Sequence, residues 1–316
     1  MTYRLDIGND WISNPYYDEA EKYLNLFWDE KTIFHKYFSE LDCTNIVELA
    51  VGHGRHVQKY LEKAKTITLV DINRENIDFC QKRYSRENKI KYLVNSGNDF
   101  NGIDSNSQTA IFCYDAMVHF ELVDILEYLK ESNRILVNGG KILFHHSNAA
   151  FSPELLYNQK PGGRNFLSAD IFTYLATRND FEVLRQDIFP WGNSETQIDC
   201  LSLCQKGRRE ITENLLQNIL QQYDGKYILF GQQNAENYIK KIKSIGFDLP
   251  LEIWDNKVYG SKICGVPIVK PSKGLDDKTA IICTVKMKVT YDHIVEQLPD
   301  SLKSQTYFGL FPGRFG

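Results

Sequence analysis

The 316-residue sequence has no long hydrophobic run, and none approaches the roughly 18 to 20 apolar residues that a helix needs to cross a bilayer. It also has no basic surplus: the net charge is −4, which argues against a dedicated nucleic-acid binder. The first residues are polar and acidic, without the basic and apolar regions of a signal peptide. These absences predict a cytoplasmic protein with no membrane span and no nucleic acid among its partners.

Cysteine is scarce and scattered, with seven residues in the chain. The closest pair, Cys200 and Cys204, lies in the strand-like segment DCLSLC rather than in a zinc knuckle, which predicts buried reduced thiols. Low-complexity segments are absent as well. What remains is an ordinary globular composition, 42% hydrophobic and 25% charged, in a chain long enough to bury two cores.

Strand-like and helix-like segments alternate from residue 45 to about residue 150. This alternation predicts right-handed crossovers and a mostly parallel sheet. The segment LVNGGKILF predicts a helix stop and a turn before the chain re-enters the sheet. Residues 165–206 are predicted to add one helix and two strands that complete the sheet.

The predicted organisation has three parts. Residues 1–40, rich in aromatics at helical spacing, form a helical entry or lid segment. Residues 41–206 form an α/β domain with a mostly parallel sheet. The charged stretch QKGRRE at 205–210 marks a boundary, and residues 207–316 form a second, smaller α/β domain.

The stretch NIVELAVGHGRHVQKYL, residues 45–61, reads as a strand, a glycine-containing loop and a helix. No lysine followed by serine or threonine comes after the loop, which excludes a P-loop, and Gly52 and Gly54 match a dinucleotide fingerprint only in part. Glu48, inside the otherwise apolar strand, would repel a pyrophosphate but would favour a cationic methionine group. Asp71 ends the second strand, the usual place for a carboxylate that binds ribose hydroxyls.

The segments ELAVGHGRH, LVDIN, GNDF and NRILVNGGKILF, in this order, resemble class I S-adenosylmethionine-dependent methyltransferases over residues 40–206. Ala50 replaces the first glycine of that family's loop. The resemblance implies S-adenosylmethionine as cofactor, with the methionine part on Glu48 and the first loop, the ribose on Asp71, and the adenine on Asp99 and Phe100. The predicted cofactor site comprises Glu48, Ala50, Gly52, Gly54, Arg55, Asp71, Ile72, Asp99, Phe100 and Tyr114.

Each of the three acids also has a structural interpretation. Glu48 is alternatively a salt-bridged strand residue. Asp71 alternatively caps the helix predicted to start at Arg74. Asp99 alternatively belongs to a turn formed by GND.

Two histidine-bearing segments, FCYDAMVHFE and LFHHSN, end at the predicted ligand edge of the sheet. A neutral imidazole is suited to take the proton of an acceptor hydroxyl, so His119 or His146 is predicted as general base, with His145 and Asp115 orienting it. Strand alternation allows only one of the adjacent pair His145 and His146 to face the substrate, and both are alternatively core residues. A divalent ion on Asp115, His119 and His146 is conceivable, but no spacing demands it and no metal is predicted.

The segment YNQKPGGRNFLSADIF is predicted as a mobile loop in which Arg164 and Asn165 hold an anionic or polyhydroxyl substrate. Its alternative is a solvated loop followed by a helix cap at Ser168. Tyr16, Tyr17 and Trp28 are predicted to pack in the core, with a lid that stacks on a sugar or on adenine as the alternative.

The C-terminal part resembles the small Rossmann-like domain of bacterial sugar-modifying enzymes. Asp255 and Asn256 keep its strand end, and Gly265 to Pro267 keep its turn, but Gly231 alone remains of the glycine loop, so no cofactor is expected there. Similar domains end sugar C-methyltransferases that carry an N-terminal cysteine zinc site. This chain lacks that site, which favours O-methylation.

The sequence therefore predicts a Rossmann-like α/β methyltransferase domain with a second, smaller Rossmann-like domain. The predicted activity is O-methylation of a sugar or nucleotide-activated sugar in bacterial surface polysaccharide synthesis. N- or C-methylation of a small metabolite and a non-catalytic scaffold are the alternatives, and Glu48 disfavours an NAD-dependent oxidoreductase. The oligomeric state, a homo-oligomer included, stays open.

Overall fold

The computed structural model describes residues 3–192, 196–271, 275–284 and 288–308. The chain divides into two compact units, Met1–Arg208 and Arg209–Gly316, and the division falls within the charged stretch 205–210. None of the described helices is long and apolar enough to cross a membrane.

In the described part of the first unit, seven strands form one sheet in the order β3-β2-β1-β4-β5-β7-β6. The first five strands are parallel, whereas β7 runs antiparallel to both of its neighbours. The strands are β1 (Asn45–Leu49), β2 (Thr66–Asp71), β3 (Ile90–Val94), β4 (Gln108–Cys113), β5 (Leu136–Ser147), β6 (Phe181–Phe189) and β7 (Asp199–Lys206).

Helices precede the sheet and connect its strands. The longest, α7, buries Ile125, Tyr128 and Leu129 on one face, the spacing expected of an amphipathic helix. Thr32 and Ser168 cap α4 and α8 by accepting a backbone N–H bond, so the predicted cap at Ser168 is confirmed. The helices are α1 (Arg4–Asp10), α2 (Tyr16–Lys22), α3 (Leu24–Phe27), α4 (Ile33–Phe38), α5 (Val57–Tyr60), α6 (Arg74–Arg83), α7 (Leu122–Ile135) and α8 (Ala169–Arg178), with 3-10 turns at Leu61–Lys63, Met117–His119, Tyr157–Gln159 and Pro161–Gly163.

The sheet is covered on both faces. On one face Val47, Val70 and Ile111 pack with α7 and α8, and on the other Ile46 and Leu69 pack with α4, α5 and α6. Both faces are apolar because parallel strands lie between two helical layers. The predicted α/β class with a mostly parallel sheet is confirmed.

The helix stop predicted at LVNGG is confirmed, because α7 ends at Ile135. Strand β5 is assigned from Leu136, but its partner in β4 changes from Gln108 at Leu136 to Ala110 at Lys141, so residues 137–140 have no partner in β4. Gly139 has the positive φ that the sequence suggests, at 77°. The predicted turn therefore lies within the span assigned to β5.

The second unit contains a smaller, mostly parallel sheet with the order β10-β11-β9-β8-β12-β13 among its described residues. Strands β10 and β11 pair antiparallel as a hairpin. The strands are β8 (Tyr227–Phe230), β9 (Ile253–Trp254), β10 (Lys262–Ile263), β11 (Val266–Val269), β12 (Ala280–Cys283) and β13 (Thr306–Phe308), and the helices are α9 (Arg208–Gln222), α10 (Ala235–Ser244), α11 (Lys288–Gln297) and α12 (Asp300–Lys303), with a 3-10 turn at Gln232–Asn234.

Candidate active site

A cavity opens at the carboxyl ends of β1, β2 and β4, the edge where open α/β sheets bind ligands. Its walls come from the strand ends, the loop after β1, the start of α7 and the two N-terminal helices α1 and α2. The lining residues that the sequence predicts are Glu48, Ala50, Gly52, Arg55, Asp71, Ile72, Tyr114, Asp115 and His119.

The loop after β1 is held in a left-handed conformation. Ala50, Gly52 and Gly54 have φ values of 55°, 54° and 74°, a region that favours glycine. A Cβ at Gly52 would lie 2.6 Å from the ring atom Cε1 of Tyr17, so α2 packs directly on this loop. The absence of a side chain at Gly52 therefore lets the backbone and the aromatic wall of the cavity meet.

Glu48 is buried near the end of β1 and lines the cavity. The Tyr60 hydroxyl donates a 2.5 Å hydrogen bond to its Oε2. Burial raises the pKa of Glu48 to about 8, although Tyr60, Arg55 and Arg83 act in the opposite direction. A carboxylate with so high a pKa lacks a close cation, and a cationic ligand group would favour its ionised form.

Asp71 ends β2 and lines the same cavity. Its Oδ2 accepts the Gly52 N–H at 2.9 Å, and its Oδ1 accepts the Asn73 N–H at 2.9 Å and the Asn76 side-chain amide at 3.2 Å. Burial raises the pKa of Asp71 against these three bonds. The N-cap position of the helix that follows is Asn73, whose side chain makes no capping hydrogen bond, so Asp71 does not occupy the cap position.

Asp115 follows β4 with a left-handed φ of 63°. Its Oδ2 accepts both the Tyr16 hydroxyl at 2.6 Å and the Arg55 guanidinium at 2.7 Å. Burial and the neighbouring Asp115 raise the pKa of Tyr16, which stays a hydrogen-bond donor. Arg55 thus neutralises Asp115, and the hydrogen bond from Tyr16 ties the N-terminal helix α2 to the end of β4.

His119 lies in the 3-10 turn after β4 and lines the cavity. Its Nδ1 lies 2.7 Å from the Gly163 carbonyl oxygen, which can only accept, so Nδ1 carries the proton and Nε2 carries the lone pair. Burial lowers the pKa of His119 to about 4. The ring packs 4.9 Å from that of Trp11, and it is neutral at physiological pH.

His145 fixes the backbone of the cavity wall at Asp115. Its Nδ1 accepts the Asp115 N–H at 3.1 Å, and its Nε2 donates to Asp199 at 2.9 Å. Asp199 also receives two hydrogen bonds from Arg164, whose third bond reaches the Gly162 carbonyl. The buried Asp199 thus connects the strand end at Asp115 with the glycine segment that fixes His119.

The predicted roles of His146, Arg164 and Asn165 need correction here. His146 points to the opposite face of the sheet, stacks 4.1 Å from Phe172 and bonds to Ser202, so it is a core residue and does not reach the cavity. This placement also separates His146 from Asp115 and His119, and the described residues contain no cluster of three potential metal ligands. Arg164 and Asn165 are buried in internal hydrogen bonds rather than presented to a substrate.

The predicted adenine contacts are likewise not at the cavity. Asp99 accepts hydrogen bonds from Ser96 and from the Asn101 N–H, as its turn interpretation expects. Phe100 is fully buried against Tyr128. Gly54 also lies outside the lining and packs against Tyr84.

Tyr16 and Tyr17 line the cavity, as their lid interpretation expects, whereas Trp28 lies outside the lining and donates to His56. The lining also includes Arg4, Trp11 and Asp124, none of which was predicted as a site residue. The aromatic density of the first 40 residues was the available signal for Trp11, but no local pattern marks Arg4 or Asp124.

Residues 47–144 match the family model described as a methyltransferase domain. The matched segment runs from β1 into β5 of the first unit, and it is similar to domains that use S-adenosylmethionine as cofactor.

Individual proteins match this chain at low sequence identity or over a short segment. The chain is 24% identical over 139 residues to the Bacillus subtilis protein named methyltransferase YqeM, which covers 44% of this chain and 51% of that protein. It is 40% identical over 50 residues to the ribosomal RNA small subunit methyltransferase H of Mycoplasma genitalium, 15% of this chain and 16% of that one. An S-adenosylmethionine-dependent methyltransferase structure from Clostridium acetobutylicum aligns with a TM-score of 0.47 at 14% identity, over 61% of this chain and 100% of that one. The chain thus spans at most about half the length of these two curated relatives.

Proposed function

We propose that this protein transfers a methyl group from S-adenosylmethionine to a hydroxyl of a small polar acceptor, a sugar or nucleotide-activated sugar of surface polysaccharide synthesis. The observation that carries the proposal is one cavity that combines two buried carboxylates, Glu48 and Asp71, with a neutral His119 whose Nε2 carries a lone pair. The sugar class is supported by the resemblance of the second unit to a domain of sugar-modifying enzymes.

The residues present fit the cofactor. Glu48, whose pKa burial raises, gains a counterion from the methionine ammonium group, and the left-handed Gly52 leaves room for close approach. Asp71 offers acceptor oxygens beside Ile72 for the ribose hydroxyls. When bound, S-adenosylmethionine supplies an electrophilic methyl group on a sulfonium sulfur.

The acceptor side is built around His119. Its Nε2 receives the hydroxyl proton, and the Gly163 carbonyl, already bonded to Nδ1, stabilises the imidazolium that results. Because the pKa of His119 is about 4, the proton moves as the new oxygen–carbon bond forms and not before it. Trp11 and Tyr16 exclude water from this part of the cavity.

The proposal is tested first by calorimetric titration of S-adenosylhomocysteine into the full chain, with NAD as control. Sugars, nucleotide sugars and amines are then screened for a product heavier by one CH₂ unit. With the acceptor found, His119→Gln is expected to lower kcat about 100-fold or more, the usual share of a general base, with cofactor affinity unchanged. Below pH 5, kcat/KM of the wild type should fall as His119 protonates through about 4.

His146→Gln is the matched control, since the sequence treats both histidines alike. If folded by its thermal melt, it should keep kcat within a few-fold of the wild type. Binding of NAD in place of S-adenosylhomocysteine would overturn the methyltransferase proposal. An amine as the best acceptor would replace O-methylation with N-methylation, and full turnover by His119→Gln would remove His119 from the mechanism.

A further inference from the structure

Asp124, in the first turn of α7, is a third buried carboxylate of the cavity. Its side chain is 3% exposed, and neither oxygen accepts a hydrogen bond from any described residue. The Arg4 guanidinium forms an ion pair with it, Nε to Oδ1 at 3.3 Å. Buried acceptors without a donor are costly and rare, so this carboxylate calls for a donor from a ligand.

Contacts place Asp124 beyond the ribose end of the cavity. Asp71 is followed by Ile72, whose side chain packs on Gly97 within 2.6 Å of where a Cβ would lie. The Arg4 side chain packs on the same glycine, at 3.1 Å, and its head group reaches Asp124. The lining therefore continues from Asp71 through Ile72 and Arg4 to Asp124.

Asp124 already has a cation in Arg4, and Glu121, which also lines the cavity, and Glu127 add negative charge nearby. What its two oxygens lack, among the described residues, is a hydrogen-bond donor. Glu48 and Asp71 account for the ammonium and the ribose of the cofactor, and the part that remains is the adenine. Its exocyclic amine is a neutral group with two N–H donors.

Resting on the proposed function, we infer that Asp124 accepts a hydrogen bond from the exocyclic amine of the cofactor's adenine and selects it over the deaminated base. Asp99, which the sequence assigns to this role, is already bonded to Ser96 and to Asn101 and lies outside the lining. The acid that recognises the base is thus supplied by α7 and not by the loop after β3.

The test compares the affinities of S-adenosylhomocysteine and S-inosylhomocysteine, in which a carbonyl oxygen replaces the amine, by calorimetry on the full chain. The wild type is expected to bind the adenosyl compound about tenfold more tightly or better, because the carbonyl would face a carboxylate. In Asp124→Asn, whose amide can donate to the carbonyl, the ratio should fall to within about threefold.

Asp99→Asn is the matched control and should keep the wild-type ratio. A ratio that survives in Asp124→Asn, or that is lost in Asp99→Asn, overturns the inference while leaving the methyltransferase proposal intact. Failure of the wild type to bind S-adenosylhomocysteine at all overturns both. Thermal melts of both variants establish that they are folded before the affinities are compared.

Discussion

Each unit of the chain places a glycine after a central parallel strand, Gly52 after β1 and Gly231 after β8. In both units an acid at the end of the neighbouring strand accepts a backbone N–H from the glycine loop. Asp71 accepts from Gly52 at 2.9 Å, and Asp255 accepts from Gln232 at 3.2 Å. The surroundings differ. The loop of Gly52 faces a cavity, whereas Gly231 accepts a hydrogen bond from Thr284 and donates one to Trp254.

The two acids show the difference most clearly. Burial raises the pKa of Asp71 despite its hydrogen bonds. Asp255 is less buried, and although burial also raises its pKa, bonds from the Lys257, Val258 and Gln232 backbone lower it overall. In β1 a buried Glu48 precedes the loop, whereas β8 is wholly apolar. A glycine and a strand-end acid therefore make a turn in both units, and the first unit differs by its two buried acids, Glu48 and Asp71, whose pKa values burial raises.

The largest expected difference in affinity for S-adenosylhomocysteine is between the variants Gly52→Val and Gly231→Val. Valine at Gly52 combines a left-handed φ with a Cβ that would lie 2.6 Å from Tyr17, so we expect affinity for S-adenosylhomocysteine to fall about 100-fold or more. Gly231→Val strains its own turn but should leave that affinity unchanged. Calorimetry on both proteins, with melting curves, decides the point, and equal losses in the two variants would contradict the comparison.

Replacing the strand-end acids should have an intermediate effect. Asp71→Asn removes a charged acceptor at the proposed ribose position, and we expect a roughly 10- to 100-fold loss of affinity, the range of a hydrogen bond to a charged group. Asp255→Asn serves as its control and should bind as the wild type does. An unaltered dissociation constant for Asp71→Asn would show that this acid is only a loop-stabilising residue.

The smallest expected effect is the number of protons released when S-adenosylhomocysteine binds. With a pKa of about 8, Glu48 is mostly protonated at pH 7 in the free protein, and a bound ammonium group favours its ionised form. Binding of S-adenosylhomocysteine at pH 7 should therefore release a proton, measured as a dependence of the calorimetric enthalpy on the ionisation enthalpy of the buffer. Glu48→Gln should abolish the release, and its persistence there would assign the proton to another group.

The same pKa has a consequence for stability without ligand. Because the folded-state pKa of Glu48 is raised, its contribution is fully present below its ordinary pKa and is lost as pH rises through about 8. Denaturant unfolding of Glu48→Gln should accordingly lack this part of the decline.

The sequence predicts the sheet well because alternating strand and helix patterns are local, and it predicts Glu48 and Asp71 because strand ends are local too. His146 could not be separated from His145, since neighbouring residues of a strand face opposite sides and periodicity does not say which side holds the ligand. Arg164 looked available because its partner Asp199 lies 35 positions away.

The N-terminal wall of the cavity has a consequence for how the protein is made. Tyr16 meets Asp115, 99 positions later, and Asp10 meets Tyr157, 147 positions later, so these two contacts cannot form until long stretches of the chain have followed. Closing such long loops is slow because their entropy is lost before contacts repay it. The sheet is therefore expected to form first and the pocket to be sealed last, so folding intermediates would hold a finished scaffold with an open site.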